Sequence, residues 1–592
     1  MRDYSRFEVW APKAGTVTLA LEPRFEGKRR EITMERGEGG WWHAPGVEAH
    51  PGDRYGFLLD DSPVALPDPR ALAQPEGVHA LSEVVDPRTF TFTAPWEGMD
   101  LRGKVIYELH IGTLAADRDT GASGTFDSAI TRLDALVELG VDAVEVMPVA
   151  AFPGERGWGY DGVGLFATHE AYGGPEAFAR FIDAAHERGL AVIVDVVYNH
   201  LGPDGNYLGE FGPYFTHTHT TPWGPAINFD AEDSAEVRAF VVQNARQWLI
   251  DFHLDGLRLD AVHALRDHSP THILAELSSA VADMSREVAR PLTLIAESDL
   301  NDPAMVTPVA EGGFGMHAQW ADDIHHHLHA WATGERAGYY VDFGAAAGVK
   351  KTLERIFEHD GSYSTFRRKN WGAKVDAASA HYDAHAFVAF IQDHDQVGNR
   401  ASGDRITDTI GYGAHAAIAS LYLLGASTPM LFMGEEWGAR TPFAFFSDHG
   451  ERIGPLVSAG RKEEFARMGW SDAVPDPQAR STFEESFLDW SEAESGEHEA
   501  LLEFYRELLA LRRKNSDIQK GAFDSIAVDV LSEGAILMHR GRIGVLASRG
   551  DAPVTWEPGS RVQVLASFGG ESDGRELTLD GAGALVFERS DA

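Results

Sequence analysis

Three carboxylates, Asp260, Glu297 and Asp395, each stand at or just past the end of a short apolar run. Leu257 and Leu259 alternate with Arg258 and Asp260, Glu297 follows Leu294-Ile-Ala, and Asp395 ends Phe390-Ile-Gln-Asp-His-Asp. Carboxylates from separate strands could converge on one bound atom. Glycosidic-bond cleavage needs such a set: one carboxylic acid protonates the leaving oxygen, and a second carboxylate attacks the anomeric carbon or activates water. Arg258 is placed to hold an anionic neighbour, as a nucleophilic aspartate requires. The apolar residues before Glu297 should raise its pKa, as an acid requires. Taken alone, the Arg258–Asp260 pair reads equally well as a structural ion pair at a strand terminus, because buried charge is costly unless paired.

The elements that must position these groups run in a regular order. From residue 104 the pattern is strand, loop, helix, repeated. Candidate strands are 104–110, 142–148, 190–198, 256–260, 292–297, 316–321, 387–393 and 429–433, each rich in Val, Ile, Leu or Phe, as a strand buried on both faces should be. Helices are predicted over 126–139, 175–188, 236–252, 272–288, 325–332, 346–357, 409–424 and 498–514. Thr125 precedes the first as a cap and Gly140 follows it; Pro175 opens the second and Gly189 ends it. Eight alternating units predict a closed parallel (β/α)8 TIM barrel.

A barrel's active site lies at the C-terminal ends of its strands. Those ends carry Glu108 and His110, then Asp195, Asn199 and His200, then Arg258, Asp260 and His263. Glu297 and Asp299 follow, then Asp322 and Asp323, His394 and Asp395, and Glu435 and Glu436. One such terminus would be unremarkable; seven of eight predict a polar mouth. The run Asp322-Asp-Ile-His-His-His-Leu-His329 could ligate a cation, but it lacks the His-Glu-x-x-His pattern of zinc proteases, and a sugar-binding or solvated helix start is the favoured reading.

Outside the barrel, residues 1–95 read as a small β-sandwich and 516–592 as a second all-β domain, flanking a catalytic region over 96–515. Trp41-Trp42 could stack on sugars, with core packing the favoured use. Residues 201–233, rich in Gly, Pro, His and aromatics with no clear helix, are expected to form a lobe over the mouth. The apolar run 413–434 predicts a buried helix and strand broken near Gly425 rather than a membrane span.

Composition narrows the partners. Lys plus Arg is 51 against 91 Asp plus Glu, a net charge of −40, which argues against nucleic acid and leaves a neutral sugar open. The absence of cysteine excludes disulfides, thiolate nucleophiles and Cys-based zinc sites. The first residues lack the apolar core of a signal peptide, so the expected location is the cytoplasm.

Asp195-Val-Val-Tyr-Asn-His200, Gly256-Leu-Arg-Leu-Asp260, Ile295-Ala-Glu297 and Phe390-Ile-Gln-Asp-His-Asp395 resemble, in order and strand placement, the four conserved regions of the alpha-amylase family of glycoside hydrolases. The resemblance covers about residues 100–515 and implies a retaining double displacement, with Asp260 as nucleophile, Glu297 as acid/base and Asp395 holding the distorted sugar. It implies that His200, Arg258 and His394 line the subsite of the attached sugar. Tyr160, in Gly157-Trp-Gly-Tyr-Asp161, would stack beneath that ring, with Asp161 beside it.

The N-terminal sandwich resembles the modules preceding branching enzymes, isoamylases and maltooligosyltrehalose trehalohydrolases. Pro67-Asp-Pro, Gln74-Pro-Glu-Gly-Val-His79, Ala296-Glu-Ser-Asp-Leu-Asn-Asp-Pro303, Gln319-Trp-Ala-Asp-Asp-Ile-His-His326 and Gln392-Asp-His-Asp-Gln-Val-Gly-Asn-Arg400 are similar to the trehalohydrolases in particular. That likeness implies a maltooligosyltrehalose substrate, supplied by a maltooligosyltrehalose synthase, and substrate contacts at His263, Asp322, Asp323, His325, His326, Gln396 and Asn399. The alternatives are a glucan branching enzyme, which transfers to sugar instead of water, and a non-catalytic sugar-binding barrel, which should have lost a carboxylate. Calcium-binding relatives use an asparagine like Asn199 with ligands from the third loop. Residues 201–233 offer no full set, so Asn199 is expected to brace the mouth, and neither a metal nor a cofactor is expected.

Overall fold

The computed structural model describes residue 4 and residues 6–25, 28–467 and 474–589. Eight parallel strands close into one barrel in sequence order. They are β1 (Ile106–Leu109), β2 (Ala143–Val146), β3 (Ala191–Val196), β4 (Gly256–Leu259), β5 (Thr293–Ala296), β6 (Ala318–Trp320), β7 (Phe387–Ala389) and β8 (Thr428–Phe432). Every residue of these strands is buried, as the unbroken apolar runs predict. The register sets Asp195 of β3 beside Arg258 of β4, and Glu108 of β1 beside Glu145 of β2. Charged residues therefore sit in adjacent rows inside the barrel before any loop is considered.

The helices fall where their end signals place them, with informative breaks. Thr125 accepts from the Ser128 N–H while Ser128 Oγ accepts from the Thr125 N–H, a capping box that starts Phe126–Ile130. The single helix expected over 126–139 is interrupted before Leu133–Leu139. At the break Thr131 Oγ1 donates back to the Ser128 carbonyl at 2.6 Å, a local bond that competes with the helical ladder. The helix expected over 236–252 runs from Ser234 to Arg246 and widens into a π-turn at Gln247–Asp251, where Asn244 and Gln247 donate to the carbonyls of Leu165 and Phe166.

The apolar run 413–434 forms the helix Tyr412–Leu423 followed by β8. That helix is buried around nearly its whole circumference because it lies between the barrel and a C-terminal antiparallel sheet of six strands between Ala527 and Arg589. A Cβ at Gly413 would come within 2.3 Å of the Ala582 carbonyl oxygen, so only glycine permits this approach. Among the described residues no helix is long and apolar enough to cross a membrane.

At the other end two antiparallel sheets form the N-terminal layer. One joins Arg6–Trp10, Trp41–Glu48 and Glu35–Arg36; the other joins Arg30–Thr33, Val17–Glu22, Arg54–Leu59 and Ser82–Glu83. Trp42 packs in that core, its indole N–H donating to the Ala11 carbonyl, so of the two tryptophans it takes the core role. Arg70 docks this layer on the barrel, donating to Tyr214 of the long third loop and to Gln243 of the helix that follows it. That loop carries one turn of helix at Leu208–Phe211, which the sequence pattern did not announce, and a hairpin of Phe215–Thr221 and Gly224–Ile227.

Two buried arginines fasten the C-terminal side. Arg512, on the helix Gly496–Lys514, donates to the carbonyls of Gly103, Leu423, Gly425 and Ser427. Arg540 does the same for Ser525, Leu424, Asp517, Ile518 and Lys520. Replacing Arg512 with methionine strands four carbonyls in a water-free seam and is expected to cost about 3 kcal/mol. Urea unfolding followed by tryptophan fluorescence measures this; an unchanged midpoint would contradict the role given to Arg512.

Candidate active site

The floor of the site is the Arg258 guanidinium, fully buried at the top of β4. Its Nη1 donates to Asp195 Oδ2 at 2.7 Å and to Asp260 Oδ1 at 2.9 Å, while Nη2 faces Glu297 Oε2 at 3.7 Å. Its Cζ lies 4.2 Å from the centroid of the Trp320 ring of β6. Burying one cation is tolerable only because three carboxylates and an aromatic face surround it. Asp260 is held on its other side by Asn199, whose amide donates to both the Asp260 carbonyl and Oδ2 at 2.8 Å. The Asn199 oxygen meets His200 Nδ1. This asparagine braces the mouth, the role expected of it where the third loop offers no full ligand set.

Glu297 stands opposite, at the end of β5. Burial pushes its carboxyl up to about 8, with Asp260 and Asp395 adding to the rise and Arg258 opposing it. One of its oxygens accepts the Ala261 N–H at 2.5 Å. Ala261, directly after Asp260, holds φ 39° and ψ 50°, a left-handed conformation that a residue with a side chain rarely adopts. The strain is local to the site and aims that N–H at Glu297.

The third carboxylate, Asp395, is about half exposed and pairs with Asn399 Nδ2 at 3.0 Å and His394 Nε2 at 3.6 Å. His394 is set by Glu108 of β1, which takes both its backbone N–H at 2.9 Å and Nδ1 at 2.5 Å. Burial alone would discharge this imidazole, but Glu108, Asp395 and Asp393 outweigh it and lift the pKa to about 10. Tyr160 stacks on His394 with ring centroids 4.9 Å apart, and its hydroxyl donates to Asp195. Gly398 lies so close to Trp158 that a Cβ there would sit 2.1 Å from the indole.

Above this floor opens a cavity of about 1080 Å³. Asp260, Glu297 and Asp395 line it together with Tyr160, Asp161, His200, His263, His394 and Asn399. Arg258 lies beneath the surface. Asp322 is half-buried, and the charges of Glu297 and Asp393 add to the effect of burial in raising its carboxyl. Other expected contacts are turned elsewhere. Asp323 accepts from Asn301 and from the N–H groups of Glu358 and His359, and so braces a loop. His325 bonds the Ile391 carbonyl and the Tyr340 hydroxyl inside the fold. His326 packs against Tyr339 and Phe343, and Gln396 accepts from Tyr339 and Tyr340. His327 and His329 pair with Glu358 and Glu335, so the histidines of Asp322–Thr333 are divided among separate partners. At β8 the mouth is less polar than expected: Glu435 is bonded to Tyr422 and Tyr505, and Glu436 to Tyr107, all buried.

Several lining groups carried no sequence signal. Trp223, half exposed on the hairpin, stacks on His200 at 4.5 Å. His449 pairs with Asp161 at 3.0 Å, and Arg461 bonds Asn399 and the Gly398 carbonyl. The last two lie beyond β8 in a stretch without a motif; the exposed aromatic in a histidine-rich loop could have marked Trp223. The whole set offers a donor-bound carboxylate, a protonated carboxyl and a third acid in one apolar-walled cleft, which is equipment for acid-assisted nucleophilic displacement at a neutral ligand.

Comparison with known proteins agrees with this geometry. The alpha-amylase catalytic-domain model matches residues 113–217, and the model of carbohydrate-binding module 48, the isoamylase N-terminal domain, matches residues 2–69. A malto-oligosyltrehalose trehalohydrolase of Arthrobacter ramosus is 50% identical over 98% of this chain and 99% of its own. The enzyme of that name from Rhizobium sp. strain M-11 is 46% identical over 98% and 97%. A provisionally named alpha amylase from Salmonella typhimurium superposes with a TM-score of 0.87 at 37% identity, covering 99% of this chain and 97% of that one.

Glu108→Gln removes the charge that holds His394 as an imidazolium. The expected outcome is a His394 pKa brought down from about 10 into the range accessible to NMR titration of labelled imidazoles. A wild-type His394 that titrates near the ordinary histidine value would contradict this arrangement.

Proposed function

The chain belongs to the malto-oligosyltrehalose trehalohydrolase family of alpha-amylase-type glycoside hydrolases, and from that premise we propose that it cleaves the α-1,4 bond next to the terminal trehalose of a maltooligosyltrehalose by retaining double displacement. Asp260 attacks the anomeric carbon of the sugar before the trehalose unit. The glycosidic bond breaks as Glu297 gives its proton to the leaving oxygen, and trehalose departs. Glu297, now a carboxylate, takes a proton from water. The water oxygen attacks the same carbon, Asp260 leaves, and a maltooligosaccharide is released with its anomeric configuration retained.

The observation that carries this reading is the opposite environment of two neighbouring carboxyls. Glu297 is held up near 8 by burial, while Asp260 accepts from Arg258 and Asn199. That difference supports Glu297 as the acid and Asp260 as the nucleophile. Acid help contributes about 10²–10⁴-fold, so the remainder falls to covalent attack and to the groups around the oxocarbenium-like ring. Asp395 with the charged His394 is suited to the hydroxyls of the distorted sugar, and Tyr160 to its face. His200, His263, Asp161 and Asn399 complete that subsite. Asp322 is the proposed contact on the trehalose side.

Residues 1–95 are assigned as a carbohydrate-binding-like module, 96–515 as the catalytic domain and 516–592 as an all-β domain. The substrate's non-reducing trehalose end has to be made by a synthase acting on a maltooligosaccharide. We place both enzymes in the cytoplasm.

Incubation with maltotriosyltrehalose is expected to release trehalose; if it does not, the assignment fails. Branch points formed in amylose would favour a transferase instead. Glu297→Gln should lower kcat by about 10²–10⁴-fold and Asp260→Ala should abolish turnover, with thermal unfolding little changed. Retained activity removes that residue from its role. Because Glu297 must be protonated to act, kcat/KM should fall as the pH rises through about 8 and hold below it until the other carboxylates take up protons. A profile flat to well above that value would contradict the assignment of the acid.

A further inference from the structure

The long third loop contains one constellation that the glycosidase chemistry does not use. His219 lies on the first strand of the hairpin, Asp230 just past its second strand, and His268 on the segment leaving β4. His219 Nε2 is 2.9 Å from Asp230 Oδ2, and His268 Nδ1 is 3.9 Å from the same oxygen. Among the described residues this is the one gathering of three His or carboxylate ligands whose donor atoms all lie within 4.8 Å of one another. We propose that His219, Asp230 and His268 form a divalent-cation site of the zinc class that pins the hairpin to the segment following the nucleophile strand.

The spacing supports this. Zinc takes imidazole nitrogen and carboxylate oxygen at about 2.0–2.2 Å, so tetrahedral ligands stand about 3.3 Å apart. The two distances to Asp230 straddle that value, and a small swing of His268 closes the set. His268 can swing because its ring is 76% exposed, whereas His219 and Asp230 are 19% and 10% exposed and fixed. The Asp230 oxygen is already aimed by the His268 backbone N–H at 2.9 Å. The exposed side leaves a fourth position for water. Two imidazoles and one carboxylate suit zinc, and calcium or magnesium would need more oxygens than the cluster provides.

The pin has a route to the cleft. The same hairpin carries His217 and Trp223 into the cavity wall. Trp223 stacks on His200, His200 bonds Asn199, and Asn199 holds Asp260. A cation that fixes the hairpin fixes the wall against which sugar binds, so its effect belongs in KM more than in kcat.

The test uses full-length protein freed of metal with a chelator and titrated with zinc chloride by calorimetry. One zinc per chain is expected, with a thermal midpoint raised by several degrees in excess zinc. His219→Ala and His268→Ala should each weaken that binding by at least about tenfold. Cobalt in place of zinc should give the strong visible bands of a four-coordinate ion in wild type and lose them in both variants. His268→Ala should match metal-free wild type in activity and lack the zinc-dependent fall in KM. Absence of stoichiometric zinc binding overturns the proposal and leaves an ordinary His219–Asp230 hydrogen bond. Zinc binding of equal strength in both variants overturns it too, because the ion then sits on other histidines. An unchanged KM on zinc binding overturns the pinning role.

Discussion

Everything at the mouth of this barrel depends on one buried cation. Arg258 has no access to water, so its charge must be met by protein, and it is met by Asp195, Asp260 and Glu297. Neutralising one positive charge with three acids over-supplies negative charge. The excess has to be carried by protons or by other cations. Glu297 keeps a proton, and so does Glu145, which burial and the charges of Glu108 and Asp195 hold well above the usual carboxylate range. His394 stays protonated to answer Glu108. The difference between Glu297 and Asp260 thus comes from how charge is shared among neighbours, not from the intrinsic properties of two similar side chains.

That sharing requires rigid placement, and the fold provides it from several directions. The β3–β4 register sets Asp195 against Arg258, and the β1 register sets Glu108 against Glu145. The strained Ala261 backbone, directly after Asp260, links that residue to Glu297. Outside the barrel, Arg70 seats the N-terminal layer on the third loop, while Arg512 and Arg540 stitch the C-terminal helix and sheet to the barrel's far end. The N-terminal layer also reaches the cleft directly through Lys13, which lines the cavity.

Much of this was legible in the sequence because barrel strands are doubly buried and read as unbroken apolar runs. All eight strands lie where those runs do, and the polar residues at their ends supply the three carboxylates, His394 and Tyr160's partner Asp195. What was not legible depends on tertiary direction. Asp323 and His325 share a helix start with Asp322, but helical rotation turns them inward to Asn301 and Ile391. Glu435 and Glu436 end a strand as the others do, yet tyrosines of neighbouring elements capture them. His449 and Arg461 reach the cleft from beyond β8, where spacing alone carries no information about direction. The break after Ile130 coincides with the Thr131 hydroxyl donating back to the Ser128 carbonyl of its own helix.

The central claim is that Asp260 forms the covalent bond while Glu297 moves the proton. An activated glycosyl fluoride carries a leaving group that needs no acid, so the Glu297→Gln protein should still be glycosylated by it but should release the sugar slowly. Mass spectrometry of the quenched, digested protein then reads the trapped residue. The account predicts one glucosyl adduct on the peptide containing Asp260, and none when Asp260 is replaced by alanine. An adduct on Asp395 or another carboxylate, or a product of inverted configuration without any adduct, would contradict it.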